Sequence, residues 1–155
     1  MAELVPGAEA PDFTLPRDGG GTISLSQFRG RPVVLFFYPK DDTEGCTMEA
    51  KDFTAARPDF DAAGVALIGL SPDPVKKHDK FVQKHDLAVP LASDEALTTL
   101  EAYGVWKEKS MYGRTYMGVE RTTVLVDAAG RIAEIWPKVK VKGHVEAVLE
   151  AAKKL

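Results

Sequence analysis

The stretch RPVVLFFYP at 31–39 is apolar on successive residues and β-branched at its start. A strand with one face in water alternates apolar and polar side chains, so a continuous run must be covered on both faces. It predicts a central strand of a sheet with helices on both sides. GVALIGLSPD at 64–73 repeats the signature, and RTTVLVDAAGRIAEIWP at 121–137 reads as two strands around the turn DAAG, an antiparallel hairpin.

Helical stretches separate these strands. One starts near Thr43 and runs toward Arg57, with Pro58 as its expected stop. The segment 74–86 carries Val75, Phe81, Val82 and His85 on one loose stripe. The segment 93–104 opens on Ser93 as N-cap and closes at Gly104. The last helix aligns Val145, Val148, Leu149 and Ala152, with lysines at the end that the helix dipole favours. Upstream, DFTL and TISL flank RDGGG and suggest a first hairpin. The expected order is ββ-β-α-β-α-α-β-β-α. This is an α/β chain with a central mixed sheet flanked by helices and an N-terminal hairpin extension, one domain over residues 1–155.

Charge and composition narrow the function. A net charge of −3 argues against attraction to nucleic acid or a membrane surface. The opening MAELVPGAEAPDF has neither the basic nor the apolar region of a signal peptide, and no apolar run reaches bilayer length, so a soluble cytoplasmic protein is expected. One cysteine in 155 residues excludes an intrachain disulfide and a cysteine-cluster metal site. No cofactor and no metal are expected.

That cysteine falls in YPKDDTEGCTMEA. With Thr43 as N-cap, its side-chain oxygen accepting an N–H of the first turn, Cys46 becomes the third helical residue. The sulfur then lies among uncommitted N–H groups, which favour the nucleophilic thiolate. A two-unit drop in a thiol pKa takes ~2.7 kcal/mol. A helix terminus supplies ~0.3–1 kcal/mol, ~2 at most. The acidic residues Asp41, Asp42, Glu44 and Glu49 enlarge the deficit, so a fixed cation is required. Arg121 is one candidate, because its strand pairs with the strand leading into the Cys46 loop; Arg114 and Lys40 remain open alternatives. A free cysteine ordinarily just packs in a core, but a setting of Pro, Thr and Cys after a buried strand argues otherwise.

The spacing of Pro39, Thr43 and Cys46 resembles the active-site segment of peroxiredoxins. APDFTL, LSQFRG, VVLFFYPKDD, VPLASDE and YGVWKEKSMYGRTYMGVERTTVLVD extend the likeness over nearly the whole chain, toward the bacterioferritin-comigratory-protein or Q-type branch. The resemblance implies a thioredoxin-like fold and a thiol-dependent peroxidase that reduces hydrogen peroxide and organic hydroperoxides. Cys46 would be the peroxidatic nucleophile and Thr43 would orient the peroxide. Arg121 would stabilise the thiolate and the leaving oxygen, and Pro39 would shield the pocket.

Departures from the pattern matter too. Many members of the branch carry a resolving cysteine five residues after the first, where this chain has Lys51. Others place it in the helix after the second strand, here PVKKHDKFVQKHD, which has none. The implied enzyme uses one cysteine, with its sulfenic acid resolved by an external thiol such as thioredoxin, glutaredoxin or a small thiol, or by a second subunit's Cys46. A monomer or weak homodimer is expected. Glu44 replaces the more usual Pro and adds negative charge near the sulfur. The alternative is a cysteine-based redox sensor or a chaperone-like module, which the missing resolving cysteine favours and the peroxide-orienting Thr43 opposes. A thioredoxin-type oxidoreductase would want Cys-x-x-Cys, and this chain has Thr43-Glu-Gly-Cys46. His78, His85 and His144 are read as solvated helix residues away from Cys46. PKVKVKGH is read as a lysine-protected edge strand. WKEKSMYGRTYMGVE is read either as a surface loop or as a segment packing Tyr116 and Met117 beside the site.

Overall fold

The structure, a computed structural model, describes residues 4–155; the first three residues of the segment inspected for a leader lie outside it. The apolar run is strand β3 (Val33–Phe37), and all five of its residues are buried. Strands β1 (Thr14–Pro16) and β2 (Thr22–Ser24) form the N-terminal hairpin. Helix α1 (Glu44–Ala62) leads to β4 (Ala66–Ser71), and α2 (Val75–His85) leads to β5 (Leu91–Ser93). Then follow α3 (Thr98–Ala102), β6 (Trp106–Met111), β7 (Arg114–Val119), β8 (Thr122–Val126), β9 (Ile132–Trp136) and α4 (His144–Lys153). The five-stranded sheet has the order β5-β4-β3-β8-β9. It is parallel across β5, β4 and β3 and antiparallel across β3, β8 and β9, hence mixed.

Alternation along β3 explains its unbroken apolarity. Val33, Leu35 and Phe37 pack with Ile68, Leu70, Val124, Leu100 and the N-terminal segment on one face. Val34, Phe36 and Tyr38 pack on the other against residues of α1, α2 and α4, among them Cys46, Phe53, Phe81 and Val148. Phe36 stacks on Phe53 with ring centroids 4.5 Å apart. This packing requires Gly69, since a Cβ there would come within 2.7 Å of the Phe36 ring.

Four boundaries differ from the sequence expectation. Helix α1 passes through Pro58 and ends at Ala62, because fully buried Phe60 anchors the last turn and outweighs the hydrogen bond that proline removes. Ser93 ends β5, an unforeseen strand, instead of capping a helix; Asp94 caps the shorter α3 by accepting the Leu100 N–H at 2.7 Å. The segment 106–119 is not a loop. It is a two-stranded ribbon turned at Tyr112 and Gly113, both at positive φ, and Tyr116 and Met117 are exposed. PKVKVKGH is not a strand, since Pro137 has no N–H to offer a ladder and Lys138 has φ +50°.

Candidate active site

Strand β3 ends at Phe37, and Pro39, two residues on, has no N–H with which to extend the ladder. The chain then bends through Lys40, Asp41 and Asp42 into α1. Asp42 takes φ +63°, a left-handed conformation that Asp tolerates better than most residues. Thr43 is the N-cap residue by backbone conformation, so Cys46 is the third helical residue as expected. The expected cap bond is absent. The Thr43 hydroxyl donates to the Lys40 carbonyl at 2.8 Å, which leaves its lone pairs free and the first-turn N–H groups uncapped by it. Pro39 is half-buried beside this turn, and Glu44 is exposed at its start.

The register of the sheet selects the cation. Phe37 pairs with Thr122, so the residue before β8 lies level with the exit of β3, where the Cys46 loop begins. That residue is Arg121. Its Nη2 donates to Cys46 Sγ at 3.2 Å and its Nη1 to Glu49 Oε1 at 2.7 Å. The added Cβ of an alanine at 45 would come within 3.1 Å of Arg121 Nη2, so Gly45 gives the guanidinium its approach. Val139 N–H bonds the Arg121 carbonyl at 2.9 Å and fixes the backbone from the other side. Arg114 and Lys40 are exposed and do not reach the sulfur.

Glu49 was counted in the sequence only as unfavourable charge; the structure makes it part of the site. It is fully buried, its Oε1 is held by Arg121, and its Oε2 has no partner among the described residues. Burial pushes its carboxyl up to about 7; the opposing pull of Arg121 is not enough to cancel this, and Asp52 adds a small push upward. Burial works against the charge of Arg121, yet Glu49 and Cys46 more than offset it and its pKa is raised. A signal was present in the sequence: residue 49 lies three after Cys46 and shares a helix face with buried Ala50 and Phe53. Cys46 itself is 2 % exposed. The sulfur thus faces one guanidinium in a nearly water-free recess, where electrostatic contacts are strengthened.

The histidines correct the sequence reading. His78 is fully buried and bonds Asp41 Oδ2 through Nδ1 at 2.5 Å and the Ala92 carbonyl through Nε2 at 3.1 Å. His144 is buried against Thr123 Oγ1 at 2.7 Å, edge-on to Phe53 and Trp136. Burial, then the Arg121 charge, lowers its pKa to about 4. His85 is partly buried and meets Asp42 at 2.8 Å. Each helix turns these rings inward, which a stripe interrupted by lysines did not reveal.

A cysteine in the first turn of a helix, bonded by an arginine from the neighbouring strand on a thioredoxin-like sheet, is the arrangement to be expected of a thiol-dependent peroxidase. The family model described as AhpC/TSA matches residues 6–135. Peroxiredoxin Bcp of Bacillus subtilis is 46% identical over 147 residues, 95% of this chain and 94% of its own. A structure of the Xanthomonas campestris bacterioferritin comigratory protein, whose description concerns its alkyl peroxide reduction activity, superposes with a TM-score of 0.91 at 43% identity, covering 97% of this chain and 98% of that one. Xylella fastidiosa PrxQ superposes with a TM-score of 0.93 at 35% identity, covering 99% and 98%. The chain therefore belongs to the AhpC/TSA family, in its Bcp or Q-type peroxiredoxin branch, and is a thiol-dependent peroxidase.

Proposed function

We propose that Cys46 is the peroxidatic nucleophile of a one-cysteine cycle acting on hydrogen peroxide and alkyl hydroperoxides, within a single domain spanning residues 1–155. The observation that carries this reading is the Arg121 guanidinium set between Cys46 Sγ and Glu49. The thiolate attacks one peroxide oxygen; the S–O bond forms as the O–O bond breaks, and the sulfur loses two electrons to the peroxide. The departing oxygen takes a proton and leaves as water or alcohol. Arg121 stabilises the thiolate and then the charge developing on that oxygen. Thr43, its own proton committed to Lys40, accepts the peroxide O–H and aims the O–O bond along the line of attack. Pro39 shields the recess at the loop's start.

The sulfenic acid is then attacked by an external thiol. Water leaves, a mixed disulfide forms, and a second thiol restores Cys46. Lys51, at the position of a common resolving cysteine, is exposed on α1 while Cys46 is buried, and no second cysteine exists in the chain. Thioredoxin, glutaredoxin or a small thiol serves as reductant, and the working form is a cytoplasmic monomer or weak homodimer. One equivalent of peroxide should add one oxygen to the reduced protein by intact mass, and a thiol should remove it. Retention of peroxidase activity in Cys46→Ser would defeat the assignment.

A further inference from the structure

The loop between β3 and α1 presents Thr43 and delivers Cys46, and it is anchored by polar groups that the peroxide reaction does not use. Asp41 is buried in this loop. Its Oδ1 accepts the Tyr38 hydroxyl at 2.6 Å, its Oδ2 meets His78 Nδ1 at 2.5 Å, and its N–H donates to Asp73 Oδ2 at 2.7 Å. Asp73 is in turn held by the Ser71 hydroxyl at 3.1 Å and Lys77 at 3.3 Å. His78 completes the set by bonding the Ala92 carbonyl of β5. A carbonyl can only accept, so Nε2 carries a proton and one further proton is shared between Nδ1 and Oδ2. The loop is thereby tied to β4, β5 and α2 at one residue, five before the cysteine. Every partner is satisfied only while Asp41 stays inward.

We infer that His78, acting through Asp41, is a positioning residue that holds the β3–α1 loop closed, so that the pair sets the balance between reaction of Cys46 with peroxide and access of a reducing thiol to the oxidised sulfur. This inference rests on the reading of Cys46 as the peroxidatic sulfur. The closed loop keeps the sulfur 2 % exposed, which suits a peroxide and a dry transition state. A thiol must approach the same sulfur from outside and form a covalent bond to it, so the recess has to open. Opening moves residues 39–46 together and withdraws Asp41 from His78. Loosening the grip therefore shifts the loop toward its open form, favouring reduction at the expense of peroxidation.

The experiment separates the two half-reactions. Hydrogen peroxide oxidises the reduced protein, and dithiothreitol reduces the isolated sulfenic acid, leaving cyclic disulfide and water. In Asp41→Ala, reduction by dithiothreitol should accelerate at least about fivefold, while oxidation slows. Asp41→Asn should restore both rates, because its amide can donate to Nδ1 of a neutral His78 while its carbonyl accepts the Tyr38 hydroxyl. A lowered thermal midpoint with an unchanged ratio of the two rates would make the pair merely structural and overturn the inference. If Asp41→Ala does not fold, the unmodified protein decides by NMR. The proton between His78 Nδ1 and Asp41 Oδ2 should be protected from exchange in the reduced form and lose protection in the mixed disulfide of Cys46 with a small thiol; equal protection in both overturns it. Peroxide consumption that persists in Cys46→Ser would instead remove the underlying reading, and the inference with it.

Discussion

Two carboxylates flank the Cys46 turn and behave in opposite ways. Glu49, on the sheet side, is sealed beneath Arg121, and burial raises its pKa to about 7. Asp42, on the outer side, is exposed and bonded by His85 and Lys84 of α2, both at 2.8 Å; the His85 hydrogen bond, then that of Lys84, lowers its pKa. Both have cationic or basic partners, so pairing alone does not separate them. Water does: the sealed carboxylate lacks solvation on its free oxygen, whereas the open one keeps it. An acidic residue near a thiolate is thus not simply unfavourable. Buried, Glu49 approaches neutrality while still fixing the guanidinium.

The largest test of this contrast removes the shared cation. Arg121→Gln should slow sulfenic acid formation about 10²–10³-fold, the usual cost of one transition-state donor, in rapid-mixing experiments with peroxide; a loss below tenfold would make the arginine a packing element. Next comes the sealed carboxylate. Its folded-state pKa is raised, so the folded state binds more protons than the unfolded chain between about 4.5 and 7. Stability is therefore fullest below that window and falls as pH rises through it, by about 3 kcal/mol at most. Glu49→Gln should flatten this slope and raise the thermal midpoint at pH 8 relative to the parent protein. An unchanged slope would show that Glu49 stays ionised throughout.

Smaller effects belong to the open side. Thr43→Val should lower peroxide reactivity at least about tenfold, or ~1.4 kcal/mol in barrier, while Thr43→Ser stays active. Because the hydroxyl makes no cap bond, α1 should remain as stable in both, by thermal melting. Asp42→Asn keeps a residue suited to positive φ and removes the charge. It should change peroxide reactivity by no more than about threefold, as expected of an exposed ion pair. Its stabilising share is present above the ordinary carboxylate range and is lost as pH falls through the lowered pKa, the reverse of Glu49. Matching slopes for the two variants would erase the contrast.

Legibility followed local pattern. Strands β3, β4 and β8 were readable because their apolar runs need cover on both faces, β9 because it follows β8 across the turn DAAG, and α2 and α4 because their stripes repeat at helical spacing. The ribbon β6–β7 was not, since nearly all its side chains face solvent and carry no alternation. Strand β5 spans three residues, too short for a period, and exists because β4 offers it a parallel edge. In the site, Pro39, Thr43 and Cys46 lie within eight residues of one another and could be read as a unit. Arg121 is 75 residues from Cys46 in sequence and could only be shortlisted.

The sequence by itself determined the sheet's buried centre, the helix that begins at Thr43, and the placing of the chain's one cysteine in that helix's first turn. These depend on side chains near one another in the chain, through burial, backbone preference and the free N–H groups of a helix start. Only the tertiary structure decided which cation meets the sulfur and that Glu49 and His78 lie inside. Each of those outcomes depends on strand register or on which face a helix turns toward the sheet. Register and facing are settled by contacts between distant segments, and it is their exclusion of water that gives Cys46, Arg121 and Glu49 their common electrostatics.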